Sequence, residues 1–443
     1  MRRPCLTLTG KAKSVRIVAN AAFLWAVRIA TMLSSALVSV LTARFLGPAG
    51  RGTYALPFID SSLAVTFAVG LSSAITYFLL NRKAGRGVGR GALIGLLVFG
   101  VGGSIATIAT AIGNHSRWAI VPALIYMMLY AVNAVTNGYF IGRDRVRTAG
   151  AINGAAYLLT LVLIALALVF FRSSPVAAIT AALIAWGIVG FAGLLFATHD
   201  ASRLDGAAVK TVELLRFGGK AGALNLANLL NYRVDIYIVA MLLPVATLGL
   251  YTIAVTGAES ALSLTLAIAQ STLPRIGAAG RGEAGVFVAR CLRNGLLFAA
   301  FFSAAAYVMA PPIVRILLGQ AYLPLILPFR FLLIGVVAAS TTAVITNYFM
   351  LNLGRAYVPL TTSLISAAIC AAISLALVPR VGMVGAAIGS TVAYAASQTL
   401  AIVLFCRQSG VSASNALFVN RDDFSMYRRI IRRAALHLTW APR

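Results

Sequence analysis

The sequence predicts an all-α, polytopic membrane protein with about twelve transmembrane helices, arranged as two parallel six-helix bundles. Three observations predict this fold. Of the 443 residues, 60% are hydrophobic and 11% are charged, whereas a soluble domain carries roughly 25% charged residues. Apolar runs of the ~20 residues that cross a hydrocarbon core recur along nearly the whole chain. In addition, a stretch from the first half of the sequence is repeated in the second half.

The apolar runs place the spans, and the loops between them are short. The first run is too long for the apolar region of a cleaved signal peptide, so we interpret it as a retained helix. We predict spans at residues 18–46, 53–80, 91–113, 117–142, 148–171, 175–199, 214–243, 248–274, 286–310, 326–352, 357–379 and 383–406.

These spans divide the chain into five segments. They are a basic N-terminal tail (1–17), an N-terminal six-helix bundle (18–199), a linker (200–213), a C-terminal six-helix bundle (214–406) and a basic tail (407–443). The end of this last segment places apolar side chains on one helical side and arginines elsewhere. That pattern predicts an amphipathic helix at 421–443, lying on an anionic membrane surface.

The net charge of +27 could indicate a nucleic-acid partner, but the basic residues are distributed unequally between the two predicted sides of the membrane. Most of the 37 Lys and Arg residues fall in the two tails and in alternate loops. This positive-inside pattern predicts that both termini are cytoplasmic. The excess of Arg over Lys is typical of a GC-rich bacterial genome. We therefore expect a multi-pass protein of the bacterial cytoplasmic (inner) membrane, in contact with membrane lipids and with no nucleic acid.

The internal repeat lies just after the first and seventh spans. Residues 43–54 and 240–251 align without a gap and share five identities, including the final tyrosine of each stretch. A weaker similarity links the ends of the fourth and tenth spans. The chain therefore consists of two halves in the same orientation. Parallel repeats are a transporter architecture, in which the substrate site lies between the halves near the bilayer midplane.

The ionisable candidates inside the predicted spans are Arg28, Asp60, Arg233, Asp235 and Glu259. Such groups are costly in a bilayer and usually face a water-filled cavity or a partner, so they are functional candidates. The structural alternative is a buried ion pair that fixes helix packing. Asp60 and Glu259 follow the two repeated tyrosines at similar distances, so each half carries one acid at similar depth.

The first helix of each half also presents a polar face. Thr31 and Ser35 follow Arg28 at helical spacing, and we place Arg28 near mid-membrane. The repeat aligns Arg28 with a matching stripe on the seventh span, formed by Asn225, Asn228, Tyr232 and Asp235. We interpret the two faces as opposite walls of one central cavity. Arg233 points roughly 160° away from Asp235 at about 100° per residue, so either the helix is distorted or Arg233 pairs with a neighbouring helix.

The sequence contains no motif for a metal, a cofactor or catalysis. The four cysteines lack metal-binding spacing, and the three histidines do not cluster. The glycine-rich segments 85–91 and 218–222 lack the ending of a phosphate-binding P-loop. We therefore expect a protein that needs no cofactor and is not an enzyme.

Several short motifs resemble those of a known family. Residues 44–56 read Arg-Phe-Leu-Gly-Pro-Ala-Gly-Arg-Gly-Thr-Tyr-Ala-Leu. This segment is similar to the one after the first helix in polysaccharide (O-antigen/exopolysaccharide) flippases of the multidrug/oligosaccharidyl-lipid/polysaccharide (MOP, MATE-like) exporter superfamily. Residues 235–251, 273–274 and 317–322 resemble further elements of that family. The resemblance covers about residues 10–410 and implies a MATE/MOP-like, V-shaped pair of bundles that works by alternating access.

The resemblance also implies a substrate, an undecaprenyl-diphosphate-linked oligosaccharide moved from the cytoplasmic to the outer leaflet for O-antigen, capsule or exopolysaccharide assembly. Polysaccharide polymerase or assembly proteins would be partners. A diphosphate needs cationic groups in a low-dielectric cavity, and arginine can bind it with two hydrogen bonds. Arg28 is the first candidate, and Arg233 or Arg51 the second. Candidate groups for sugar hydroxyls are Thr31, Ser35, Asn225, Asn228 and Tyr232. Candidate sites for coupled H⁺ or Na⁺ are Asp60, Asp235 and Glu259.

Other functions stay open from the sequence. A drug or organic-cation antiporter of the same superfamily would favour an acidic cavity, which Arg28 opposes. Lipid II flippases usually have more helices and more cavity arginines. A membrane polysaccharide polymerase usually carries a large outer loop, and no predicted outer loop here is long enough. A non-transporting scaffold of an assembly complex would have a similar sequence.

Overall fold

The computed structural model describes residues 10–82, 85, 87–171, 174–201, 208–278, 280–355 and 357–418. Over these residues the chain forms helices and no strands. The predicted amphipathic helix at 421–443 and most of the N-terminal tail lie outside the described residues. The all-α, polytopic architecture predicted from the sequence is confirmed.

Thirteen α-helices are formed by the described residues. A 3₁₀ turn precedes α3 (Arg117–Ala119) and another precedes α9 (Gln320–Leu325), and a π-helical turn follows α10 (Tyr348–Asn352). The helices are α1 (Gly10–Asn81), α2 (Val88–Gly113), α3 (Ile120–Gly142), α4 (Val146–Phe170), α5 (Pro175–Ala201), α6 (Thr211–Leu242), α7 (Val245–Ala278), α8 (Arg281–Leu317), α9 (Ile326–Ala339), α10 (Thr342–Asn347), α11 (Tyr357–Val381), α12 (Met383–Ser409) and α13 (Ala413–Leu417).

Helix α1 contains the first two predicted spans. Its 72 residues would extend roughly 108 Å as one straight helix, far more than a bilayer needs. Gly47 interrupts it with φ 66° and ψ 178°, a conformation that residues with a Cβ rarely adopt. Pro48 then begins the second segment, where its fixed φ and missing N–H are tolerated. The predicted break between residues 46 and 53 is therefore built by a Gly-Pro pair.

Nine stretches of the described residues are long and apolar enough to cross a membrane, and the first of them, Ala22–Asn81, runs through the kink at Gly47. Helices α6 and α7 are not among the nine, although they have 32 and 34 residues. In α6, asparagines and five charged residues lower the hydropathy. A helix nevertheless occupies each of the twelve predicted spans.

The tenth predicted span is discontinuous. Helix α9 ends at Ala339, a turn follows, and α10 leads into the π-helical turn. The turn is held by Gln398 of α12, whose Oε1 accepts a hydrogen bond from Thr342 Oγ1 at 2.7 Å and whose Nε2 donates to Thr341 Oγ1. π-helical turns occur frequently at functional sites.

The helices form two compact units. The first comprises Met1–Leu229, Ala240–Leu250 and Leu317–Ala321, and the second comprises Leu230–Val239, Tyr251–Ile316 and Tyr322–Arg443. The core of the first unit includes Leu71, Phe78, Phe140 and Leu214. The core of the second unit includes Val288, Leu292, Tyr348, Phe349 and Phe405.

The repeated glycines of the first unit contact each other's chains reciprocally. A Cβ on Gly52 would lie 1.9 Å from the carbonyl oxygen of Val245, and one on Gly249 would lie 2.0 Å from that of Pro48. The repeat aligns Gly52 with Gly249 and Pro48 with Val245. The two copies of the motif therefore meet through equivalent atoms, as a two-fold relation between repeats requires.

Candidate functional site

Arg28 lies on the first segment of α1, and its side chain is exposed. Among the described residues its guanidinium has no hydrogen-bond or ion-pair partner, and it interacts electrostatically with Tyr157 of α4. The helix continues for about 28 Å from Arg28 to Gly47 at 1.5 Å per residue. This distance nearly equals a hydrocarbon core of about 30 Å. The stretch of helix from Arg28 to the Gly47 kink is therefore nearly long enough to cross the core by itself.

The two hydroxyls predicted to share the face of Arg28 behave differently. Ser35 is exposed, as Arg28 is. Thr31 is buried, and its Oγ1 donates to the carbonyl oxygen of Arg28 at 2.8 Å. A threonine whose hydroxyl donates to a carbonyl of its own helix cannot donate that proton to a ligand at the same time. The structure therefore brings Arg28 and Ser35 to the exposed face, and it turns Thr31 inward.

Arg51 lies inside the packed part of the first unit. Its side chain is buried, and its guanidinium carbon stands 5.2 Å from the ring centroid of Tyr54. This is the geometry of a cation–π contact. An anion from outside could reach Arg51 only after this packing opens.

Asp60 is fully buried in the first unit and is hydrogen-bonded through both carboxylate oxygens. Asn114 Nδ2 donates to Oδ1 at 2.6 Å, and Ser116 Oγ donates to Oδ2 at 2.7 Å. Thr110 Oγ1 also donates to the backbone carbonyl of Asp60 at 2.7 Å. This network ties the second segment of α1 to the end of α2. Sequence reasoning missed Asn114 and Ser116, although both stand in the short loop after the third predicted span.

The polar stripe of α6 is distributed between the two units. Asn225 is half-buried and Asn228 is exposed, and both belong to the first unit. Tyr232 belongs to the second unit and is half-buried, with its ring centroid 5.9 Å from that of Tyr394 on α12. Each of the three side chains keeps some accessible surface, as a substrate-contacting residue must.

Arg233 pairs with an acid on the next helix. Its Nη2 donates to Glu259 Oε2 at 2.8 Å, and the two side chains are 37% and 31% exposed. The pair therefore joins α6 to α7 while about a third of each side chain stays accessible. This is the second of the two alternatives that the helical spacing leaves open for Arg233. Sequence spacing alone does not select Glu259 as the partner.

Asp235 is buried in the second unit, and its carboxylate has three donors. Tyr251 Oη and Ser390 Oγ donate to Oδ2 at 2.5 and 2.7 Å, and the backbone N–H of Ile236 donates to Oδ1 at 2.8 Å. Tyr251 is the tyrosine of the internal repeat, but the repeat by itself does not identify it as a partner of Asp235. Ser390 comes from α12, which no local pattern around Asp235 could indicate.

The described residues contain no group of three or more His, Cys, Asp or Glu side chains that could hold a metal ion. Of the five ionisable candidates, the structure brings together the guanidinium of Arg233 and the carboxylates of Asp235 and Glu259, on α6 and α7. Arg233 interacts electrostatically with both Glu259 and Asp235. Such an arrangement can bind an anion that replaces the Glu259 carboxylate at the arginine, or a cation at the carboxylates.

Comparison with known proteins gives one family match and several structural matches. The family model described as "Polysaccharide biosynthesis protein" matches residues 17–279. No curated protein sequence matches the chain.

Three of the similar solved structures illustrate the fold. An inward-facing multidrug resistance MATE family transporter of the MOP superfamily is 16% identical with a TM-score of 0.68, over 86% of this chain and 94% of that one. The lipid II flippase MurJ, in an inward closed conformation, is 12% identical with a TM-score of 0.72, over 88% and 90%. A MOP superfamily transporter from Pyrococcus furiosus is 15% identical with a TM-score of 0.60, over 88% and 95%. These similarities confirm the predicted MATE/MOP-like fold.

Proposed function

Because the chain belongs to the family of polysaccharide biosynthesis proteins, we propose that it is a flippase for an undecaprenyl-diphosphate-linked oligosaccharide. The substrate moves from the cytoplasmic to the outer leaflet of the bacterial inner membrane and supplies surface polysaccharide assembly. The fold of a polytopic transporter supports transport rather than catalysis. Alternating access, with both termini cytoplasmic, is part of this proposal.

The observation that carries the proposal is Arg28, an exposed guanidinium on an apolar helix with no acid partner in the described part of the chain. An uncompensated charge in a membrane span is costly and is retained where it has a function. A lipid diphosphate supplies the missing counter-charge, and its oxygens match the two-pronged hydrogen bonding of a guanidinium.

The depth of Arg28 supports the same substrate. We place the N-terminus in the cytoplasm, as the positive-inside pattern predicts, and the Gly47 kink at the outer boundary of the hydrocarbon core, so that Arg28 lies close to its inner boundary. A lipid-linked diphosphate on the inner leaflet lies at that level, while its polyprenyl chain remains in the bilayer. Arg28 would therefore act at entry, before the headgroup crosses the membrane.

Arg233 is the second cation that we assign to the diphosphate. Its ion pair with Glu259 at 2.8 Å is about one third exposed, so a diphosphate with more oxygens and more charge can compete for the guanidinium. Arg51 ranks behind both arginines, because it would first have to leave its packing on Tyr54.

The remaining candidates take supporting roles in the proposal. Ser35, Asn225, Asn228 and Tyr232 are accessible groups for sugar hydroxyls, whereas the Thr31 hydroxyl is engaged in its own helix. Of the three acids, Glu259 is the strongest candidate for coupled H⁺ or Na⁺. The Asp60 and Asp235 carboxylates are buried and hydrogen-bonded within the protein.

Outward movement of an anion is also favoured by the membrane potential. With the cell interior negative, the gain is about 2.3 kcal/mol per charge per 100 mV. A diphosphate carries more than one charge, so a coupling ion is not required energetically.

The proposal is tested in a strain that lacks the gene. We expect lipid-linked oligosaccharide to accumulate, to resist reagents that act from outside, and to return to normal after complementation. Surface polysaccharide should be lost in parallel. Unchanged lipid-linked oligosaccharide, with raised susceptibility to cationic drugs instead, would reject the flippase function and favour the antiporter.

A further inference from the structure

A small polar cavity lies inside the second unit, between α6, the broken tenth span, α11 and α12. Its volume is about 20 Å³, and roughly 10–15 Å³ is enough to hold one water molecule. None of the side chains that line it is charged. The hydrogen-bonding residues among them include Asn231, Tyr232, Thr346, Ser363, Tyr394 and Gln398.

Asn231 is the main reason to regard this cavity as a built site. The residue is 7% exposed, and its Oδ1 has no hydrogen-bond partner among the residues that the structure describes. The hydroxyls of Thr346 and Ser363, which also line the cavity, likewise have no hydrogen-bond partner within the described ranges. Buried polar groups in proteins are almost always paired, with protein or with ordered water. Three helices thus offer unused hydrogen-bonding capacity around one space.

The cavity lies next to the break in the tenth span. Gln398 lines the cavity and also forms hydrogen bonds with Thr341 and Thr342, just after the end of α9. Irregular backbone at membrane depth is tolerated where it is buried in protein or lines a hydrated cavity. A group bound in this cavity would connect α6 and α11 to the segment that follows the break.

The chemistry of the lining identifies the ligand. Asn231 Oδ1 can only accept a hydrogen bond, whereas a serine or threonine hydroxyl can both donate and accept. A bound ion would find no counter-charge in the lining, and the volume admits one non-hydrogen atom with its hydrogens. We propose that this cavity binds a single neutral hydroxyl group, which bridges Asn231 of α6 to Ser363 of α11.

Two sources can supply that hydroxyl. One is a water molecule, which fills the site in the protein alone. The other is a sugar of the transported glycan, and this source rests on the proposed function. Tyr394 lines the cavity and interacts electrostatically with Arg233. A glycan whose diphosphate occupies Arg233 would therefore carry its first sugar towards this side of the unit.

The test is a double-mutant cycle on the purified full-length protein in detergent, with thermal unfolding as the readout. Asn231 and Ser363 share no direct hydrogen bond, so a bound group that bridges them would couple the effects of Asn231→Leu and Ser363→Ala. We expect each single variant to lower the unfolding temperature and the double variant to lower it by less than the sum.

Asn133→Leu is the matched control. Asn133 is buried in the first unit, and its amide donates to Leu129 and Trp186 carbonyls at 2.9 and 3.1 Å. Its effect should add to that of Ser363→Ala. If Asn231→Leu does not fold, Asn231→Ala replaces it in the cycle.

The same cycle distinguishes the two sources. Coupling in the ligand-free protein identifies water. Coupling that appears only with added lipid-linked oligosaccharide identifies a sugar hydroxyl. In that case Asn231→Leu should weaken oligosaccharide binding about tenfold, the equivalent of one hydrogen bond, and leave binding of sugar-free undecaprenyl diphosphate unchanged. Strict additivity under both conditions, or a higher unfolding temperature for Asn231→Leu, overturns the proposal. The ligand-free measurement still tests for a bound water even if the protein does not transport lipid-linked sugars.

Discussion

A guanidinium in a membrane helix is stable when a carboxylate, a phosphate or water compensates its charge. The three arginines singled out from the sequence meet this requirement in different ways. Arg233 has Glu259, Arg51 has the ring of Tyr54, and Arg28 has an exposed position with no acid partner in the described chain. Under the proposed function, Arg28 is the guanidinium whose counter-charge the substrate anion supplies.

Substitution of Arg28 tests this difference. Arg28→Gln should reduce export of lipid-linked oligosaccharide about tenfold or more, since a hydrogen bond to a charged group contributes roughly 1.5–3 kcal/mol. The amount of protein in the membrane and its unfolding temperature should not change, because the side chain makes no ion pair or hydrogen bond in the described structure. The amount of protein is measured in cell membranes, and the unfolding temperature is measured in detergent.

Arg380→Gln provides the control for this substitution. Arg380 is exposed near the end of α11 and donates to the Ala376 carbonyl of its own helix. This variant should export normally. Normal export by Arg28→Gln as well would remove Arg28 from the site.

The pair formed by Arg233 and Glu259 gives a prediction with opposite signs for its two members. Arg233→Gln should weaken binding of undecaprenyl diphosphate, whereas Glu259→Gln should strengthen it, because the internal competitor for the guanidinium is gone. Each change should lower the free energy of unfolding by roughly 1 kcal/mol, as expected for a partly exposed pair. Binding that falls equally in both variants would show that the pair acts only as a structural link.

Between elements, buried carboxylates act as hydrogen-bond acceptors that hold helices together. Asp60 joins α1 to the end of α2, and Asp235 joins α6 to α7 and α12. In both cases the carboxylate oxygens are occupied by protein donors. The energetic importance of such acceptors lies in the donors that would otherwise be buried without a partner.

Removal of the Asp60 carboxylate should therefore destabilise the first unit. Asp60→Ala should lower the free energy of unfolding by roughly 1.5–3 kcal/mol, the contribution of hydrogen bonds to a charged group. Thermal unfolding in detergent measures the effect. Glu283→Gln, at an exposed acid in the first turn of α8, should change the unfolding temperature little. An Asp60→Ala variant as stable as the parent protein would contradict the network.

Element positions could be predicted from the sequence because apolar runs and the Gly-Pro break are local signals. The partners of the buried acids could not be predicted in the same way. Asp235 and Ser390 are 155 positions apart, and their contact depends on how helices are rotated about their own axes. The outward position of Arg28 and the inward position of Thr31 depend on that same rotation, which residue spacing does not fix.

At the scale of the whole molecule, the internal repeat determines how its two copies meet. Gly52 and Gly249 each pass so close to the other copy's backbone that a Cβ would overlap a carbonyl oxygen, at 1.9 and 2.0 Å. The sequence alignment pairs these glycines, but only the structure shows that they face one another. Small residues allow this kind of close helix approach in membranes.

The two glycines should therefore respond alike to substitution. Gly52→Ala and Gly249→Ala should each lower the free energy of unfolding by about 1–3 kcal/mol, the usual cost of overpacking. Gly102→Ala and Gly219→Ala serve as controls, because a Cβ at either position meets nothing within 4 Å. These controls should be neutral, or more stable by roughly 0.5–1 kcal/mol as helical glycine is replaced. A large effect at only one of the two glycines would contradict the reciprocal contact.

Transport by the purified protein in sealed vesicles would decide whether the chain is a flippase. Lipid-linked oligosaccharide from the deletion strain is placed in the membrane together with the parent protein, Arg28→Gln or Arg380→Gln. Its exposure on each side is then followed with a glycan-cleaving enzyme added outside. We expect the parent protein and Arg380→Gln to equilibrate the glycan between leaflets, and Arg28→Gln to leave the inner pool protected. Equal protection with and without the parent protein would show that the chain does not move this substrate.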